Sequence, residues 1–153
     1  MCRTTVDGAR KGFTLVELAV VIVIIGVLAA FGVPKFLKSV ERSKAAEAFQ
    51  YLAAVRAAQE RYISKEGKYC DNAAFTATPS GLDITQAAPK YFDIKTMAVV
   101  TTAGDPGWSL QLQRKQGSSS YGTYTVSFNQ DGFINTAAAS SITTKDGINP
   151  MGN

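Results

Sequence analysis

The sequence predicts an α+β chain in which one long N-terminal helix packs, through its second half, on a small antiparallel β-sheet. Three observations predict it. Residues 13–33 are apolar on every side, residues 45–63 carry apolar side chains at helical spacing, and two later segments alternate strictly between apolar and polar residues.

The first element is the apolar run. Only Thr14 and Glu17 are clearly polar between Phe13 and Val33. As a helix the run is about 32 Å long at ~1.5 Å per residue, enough to span a bilayer. Val20-Val21-Ile22-Val23-Ile24-Ile25 leaves no polar face, so this half needs lipid or protein on all sides. Glu17 stands out, because an ionised carboxylate inside an apolar segment is costly and marks a functional position whose partner must be named. If it lies at the membrane surface, it is simply wet.

Pro34 follows the run. It removes one backbone donor and predicts a kink or local unwinding without ending the helix. Beyond it, Ala45, Ala48, Phe49, Leu52, Val55, Ala58, Tyr62 and Ile63 form one stripe, with Glu41, Arg42, Lys44, Glu47, Gln50, Glu60 and Arg61 falling largely elsewhere. Arg56 and Glu60, four apart, are spaced to pair, and Lys65-Glu66-Gly67 supplies a cation and a glycine stop. The helix is expected from Phe13 to about Ser64.

Residues 67–105 read as a long connection with short elements, broken by Pro79, Gly81, Pro89 and Gly104. Tyr91-Phe92-Asp93-Ile94 is apolar enough to cover the helix, and Met97-Ala98-Val99-Val100 is the expected first strand. Trp108-Ser109-Leu110-Gln111-Leu112-Gln113 and the Tyr124, Val126, Phe128 alternation give two strands with one buried face each. Gly117-Ser118-Ser119-Ser120 is a hairpin loop between them, and Asn129-Gln130-Asp131-Gly132 turns into Phe133-Ile134. Residues 137–153, small and polar, are expected to be a surface tail.

Composition narrows the function. The 153 residues contain no histidine, which removes a histidine base, His-containing zinc sites, and any Ser-His or Cys-His pair; no enzyme and no cofactor is expected. Arg3, Asp7, Arg10 and Lys11 carry half of the net charge of +4, and the rest is dispersed. Asp105, Asp131 and Asp146 sit in glycine-containing turns that can hold calcium, although turn chemistry alone explains them, and no metal is assigned. Arg114 and Lys115, with Tyr121 and Tyr124 nearby, offer a thin surface for DNA, against the plainer reading of a solvated strand end. Trp108 reads as a core anchor and Cys70 as a small thiol.

Lys11-Gly12-Phe13-Thr14-Leu15-Val16-Glu17-Leu18 resembles, residue for residue, the processing motif of type IV pilins and the related pseudopilins. The resemblance implies the type IV pilin fold and three parts: a leader over residues 1–12, a transmembrane or filament-core helix over 13–34, and a globular domain over 35–153. It implies that a prepilin peptidase and methyltransferase cuts between Gly12 and Phe13 and methylates Phe13. It also implies that Glu17 is the assembly acid, pairing with a neighbouring subunit's N-terminal amine. The leader lacks the apolar stretch of a secretory signal, so cleavage would leave the anchor in place. Basic residues flank the run on both sides, and the N-in orientation in the inner membrane rests on the resemblance. The implied partners are other copies of the chain in a helical filament and an inner-membrane assembly platform. The implied function is a structural subunit of a cell-surface pilus for adhesion, twitching motility or DNA uptake; the alternative is a periplasmic pseudopilus of type II secretion. Many members close a C-terminal loop with a disulfide. Here Cys2 belongs to the leader and leaves Cys70 alone, so the C-terminal region must be held by hydrogen bonds and packing.

Overall fold

The computed structural model describes residues 12–77, 80–100, 106–117, 121–145 and 147–151. They divide into two compact units, with the boundary between Leu37 and Lys38.

Helix α1 (Leu15–Glu66) is one α-helix of 52 residues that continues through Pro34. It stops at Gly67, whose φ of 72° suits glycine and whose N–H returns to the carbonyl of Ile63. The expected end at Ser64 is met within two residues. In the first unit every large apolar side chain described is exposed, Phe13 at 82%, Leu15 at 85% and Phe31 at 79%. The helix is long and apolar enough to cross a membrane, and none of its most apolar stretch is buried within the chain.

In the second unit the helix residues Ala45, Ala48, Phe49, Leu52, Val55 and Ala58 are buried. Their spacing is the helical stripe read from the sequence, and its small alanines let the backbone lie close to the sheet. The sheet contains β1 (Phe92–Ile94), β2 (Ala98–Val100), β3 (Gly107–Arg114), β4 (Thr125–Asn129) and β5 (Gly132–Phe133), all antiparallel. Strand β3 is its centre: β4 pairs along one edge, and β1 and β2 share the other, β1 opposite residues 112–114 and β2 opposite residues 107–109. The first strand is thus Phe92–Ile94 instead of the segment at 97–100, because Phe92 is buried and its neighbours pair with the end of β3.

The inward face of β3 presents Trp108, Leu110 and Leu112, at 2% exposure or less, so Trp108 is the core residue expected. Phe49 of α1 meets Phe128 edge-on, ring centres 5.6 Å apart, and Phe133 at 4.9 Å, which ties the helix to β4 and β5. The turn before β5 forms as expected. Asn129 Oδ1 accepts the N–H groups of Asp131 and Gly132, each at 3.0 Å, and Gly132 has φ 121°. Of the loop between β3 and β4, residues 118–120 lie outside the described residues.

The connection after α1 is pinned to the helix. Short helix α2 (Asn72–Thr76) is capped by Asp71, which accepts from the Ala74 N–H at 2.8 Å. Glu47 accepts the N–H groups of Lys90 and Tyr91, and Arg61 donates to the Asp83 carbonyl at 2.7 Å.

Two further expectations fail here. The region after residue 137 is no surface tail: Ser140, Ile142 and Ile148 are fully buried. A 3₁₀ turn, Ser141–Thr144, sits against β4, where Ser140 Oγ accepts the Ser127 N–H at 2.8 Å and Ser141 Oγ accepts the Thr125 N–H at 2.9 Å. Serine hydroxyls thus take the place of a sixth strand's carbonyls, and residues this small can reach the edge. Nor do Arg56 and Glu60 pair, because the Arg56 guanidinium donates to the Gln130 carbonyl at 2.8 Å.

Candidate functional site

Helix α1 begins at Leu15, so the bond between Gly12 and Phe13 lies ahead of its first hydrogen-bonded turn. Gly12 is exposed, and nothing stands within 4 Å of where a Cβ would sit. A bond in this setting is accessible and not locked into a helix.

Thr14 and Glu17 start the helix together. Glu17 Oε2 accepts from both the Thr14 N–H and the Thr14 hydroxyl, each at 2.9 Å, and Thr14 Oγ1 accepts the Glu17 N–H at 3.2 Å. This is a capping box: two backbone donors with no helical partner are satisfied reciprocally, and the carboxylate sits at the positive end of the helix dipole. The signal was present in the sequence, since Thr-x-x-Glu before an apolar run is the capping pattern, but the reading of Glu17 as an anomaly passed over it. The structure therefore brings Glu17 to Thr14, one turn from the Gly12–Phe13 bond, with Pro34 farther along the same helix.

A family profile described as the prokaryotic N-terminal methylation motif matches residues 8–33. A fimbrial protein of Pseudomonas aeruginosa is 31% identical over 130 residues, covering 83% of this chain and 84% of that protein. The chain belongs to the type IV pilin family. A type IV major pilin protein, PilA, of Myxococcus xanthus is 46% identical over 62 residues, 40% of this chain and 28% of its own length. PilE1 of Neisseria gonorrhoeae, another type IV major pilin protein, is 31% identical over 109 residues, 70% of this chain and 60% of its own length. The chain thus spans less than two thirds of these last two relatives. No solved structure matches it.

In this pilin the second unit holds a buried charged cluster that the sequence reading placed at the surface. Glu41 is 3% exposed and Arg114 5%. Arg114 Nε donates to Glu41 Oε1 at 2.7 Å, the Tyr124 hydroxyl donates to the same oxygen at 2.9 Å, and Lys44 Nζ stands 3.6 Å from Oε2. Arg114 also donates to the Tyr91 carbonyl at 3.1 Å and lies over the Tyr91 and Phe92 rings. Burial by itself would push the Glu41 carboxyl up, but the hydrogen bonds from Arg114 and Tyr124, with the charges of Arg114 and Lys44, hold it below the usual carboxylate range. Tyr124 is pushed strongly up by burial and by its bond to Glu41.

Both charges were legible by period. Arg114 continues the inward alternation of Leu110 and Leu112, and Glu41 lies one turn before Ala45 on the buried stripe. Arg114 is therefore no solvated strand end, and neither it nor buried Tyr124 is placed to touch DNA. Lys115 faces Asp93 at 3.9 Å and donates to the Lys90 carbonyl.

A second buried polar contact lies farther along the helix. Gln59 donates to the Cys70 carbonyl and accepts the Cys70 N–H, each at 2.9 Å. Cys70 is buried, and burial pushes its thiol up, so its sulfur is a packed, unreactive group. Of the three turn aspartates, Asp105 and Asp146 lie outside the described residues, and Asp131 accepts from the Asn129 amide at 3.2 Å. Among the described residues no three metal-ligating side chains converge.

Proposed function

We propose that this chain is the precursor of a structural pilus subunit. Residues 1–12 are a leader that a prepilin peptidase and methyltransferase removes between Gly12 and Phe13, leaving methylated Phe13 as the first residue. Residues 13–34 then hold the subunit in the inner membrane, N-terminus inward, until the assembly platform moves it into a helical filament of identical subunits. Residues 35–153 form the domain displayed by that filament, which serves adhesion, twitching motility or DNA uptake.

The observation that carries this reading is the accessible Gly12–Phe13 bond ahead of a helix whose apolar first part is exposed and holds one acid in its first turn. Such a helix needs lipid before assembly and neighbouring helices after it. Glu17 supplies the charge that makes the second state specific. In a dry bundle it compensates a neighbouring Phe13 ammonium, and each charge offsets the desolvation of the other. Pro34, lacking a backbone N–H, is where the helix bends or unwinds as it enters the bundle. The relatives named as pilins and fimbrial proteins favour a pilus over a secretion pseudopilus.

The test is to measure the mass of the surface form and the filament yield in wild-type and Glu17→Ala strains. Assembled protein should begin at methylated Phe13, and Glu17→Ala protein should be cut but stay in the membrane. Assembled protein retaining Met1, or normal filament yield from Glu17→Ala, would overturn the reading.

A further inference from the structure

Within the second unit, α1 is held by two buried polar contacts of different chemistry, one to the sheet and one to the connection that follows the helix. At its start, Glu41 is the first fully buried residue of the helix, and it meets Arg114 of β3 and Tyr124 at the approach to β4. Near its end, Gln59 meets the backbone of Cys70 and, through Nε2, the sulfur of Met97 at 2.9 Å. The first contact depends on a carboxylate and the second on an amide that does not titrate.

We propose that the Glu41–Arg114–Tyr124 cluster is an acid-released latch, whose opening frees the first buried turns of α1 from the sheet while the Gln59 end stays closed. Protonated Glu41 offers no negative charge to the guanidinium, and its new O–H adds a donor to a site already filled with donors, with Lys44 Nζ 3.6 Å from Oε2. Arg114, 5% exposed, is then left as a buried cation facing two carbonyls and the rings of Tyr91 and Phe92. An unpaired buried charge is among the costliest states a fold can hold, and the cluster relaxes by letting water in.

The other charged groups here are Lys44 on the helix itself, Lys90 and Lys115 beside Tyr91, Asp93 facing Lys115, and Glu47, which holds the Lys90 and Tyr91 N–H groups. None of them replaces a carboxylate between Arg114 and Tyr124. Neighbouring contacts hang on the same turns: Arg42 donates to the Pro150 carbonyl at 3.3 Å, and Lys38 lies against Gly147. Opening of the latch therefore loosens the C-terminal segment too.

The sign follows from the lowered carboxyl of Glu41. A depressed acid contributes stability above its ordinary value, about 4.3, and loses it as pH falls through the folded value. The latch is closed at neutral pH and opens only on the acid side of that ordinary value. Tyr124, raised far above the ordinary tyrosine range, keeps its proton and goes on donating on the alkaline side.

The experiment is amide hydrogen exchange on the full chain in detergent micelles, at about pH 6 and about pH 3, corrected for the intrinsic pH dependence of exchange. Protection over residues 41–52 should fall roughly tenfold or more on acidification, while residues 55–66 hold theirs. Glu41→Gln, which keeps an acceptor and cannot titrate in this range, should abolish the fall; Glu47→Gln should leave it intact. Should Glu41→Gln fail to fold, the paired replacement Glu41→Leu with Arg114→Met should likewise show no acid response. An unchanged acid response in the variant that folds, or an equal loss over residues 55–66 in the wild type, would overturn the latch.

Discussion

Thr14 and Glu17 hold each other at the first turn of α1, the carboxylate taking two hydrogen bonds from Thr14 at 2.9 Å and the hydroxyl taking one from the Glu17 N–H. The acid proposed for assembly is therefore already placed by its own chain. Thr14→Ala removes the hydroxyl from both roles and should fray the turn, raising amide exchange at Glu17 several-fold in bicelles. Thr14→Ser should restore it, since the serine hydroxyl reaches the same atoms. Equal exchange in all three proteins would mean that the box does not order this turn.

Gly147 tests the C-terminal segment. Its φ of 67° lies in the left-handed region, and a Cβ there would fall on the side chain of Lys38. Lys38 is flexible and can swing away, so most of the cost is the backbone's. Gly147→Ala should destabilise the folded chain by about 1–2 kcal/mol in urea unfolding. Combining it with Lys38→Ala should recover only the smaller steric part. A neutral Gly147→Ala would show that this turn relaxes freely.

Gln59 tests the contact that does not titrate. Gln59→Leu preserves the side chain's bulk but leaves the Cys70 N–H and carbonyl buried without their partner. Orphaned polar groups of this kind cost about 1–3 kcal/mol, so the urea midpoint should fall clearly. Gln50→Leu, at an exposed position of the same helix, should change stability by about 0.5 kcal/mol or less.

The regular parts of this fold were readable because periodicity reports which face is buried. The stripe from Ala45 to Ala58 and the alternation from Trp108 to Leu112 each gave an element of the right kind. The same periods also mark Glu41, Gln59 and Arg114 as inward, but charge and polarity ordinarily signal exposure, and a buried polar side chain shows only when its partner is known. Glu41 and Arg114 are 73 residues apart, and nothing local joins them. The C-terminal segment was missed for a related reason. Its anchors are isolated, Ile142 and Ile148 among small residues, and its hydrogen bonds to β4 come from serine side chains that leave no periodic trace. At the N-terminus the motif was legible as chemistry, while its second meaning, a capping box, depended on where the helix starts.

Cys70 should behave as a buried thiol. In a Cys2→Ser background it is the chain's one remaining cysteine. Its position at 0% exposure and its raised ionisation predict that a thiol reagent labels it at neutral pH only after unfolding, with a labelling rate that tracks denaturant concentration. Prompt labelling of the native protein would place the thiol at the surface.

The last prediction concerns the division of the helix. Ahead of Pro34, the apolar side chains of α1 are exposed, Val20 at 52% and Ile22 at 62%, so this half gains nothing from the chain's own packing. From Glu41 onward the buried stripe, the Phe49 ring contacts and the two buried polar contacts all lie within one unit. A fragment beginning at Lys35 keeps that whole set and loses only the surface that calls for lipid or neighbours. It should therefore be soluble, monomeric by sedimentation, and unfold cooperatively, with a helix signal that accounts for residues up to Glu66. The same chemistry predicts that the fragment neither inserts into vesicles nor joins filaments. An aggregated or unfolded fragment would show that the apolar half helps hold the second unit together, and the proposed boundary at Pro34 would have to move.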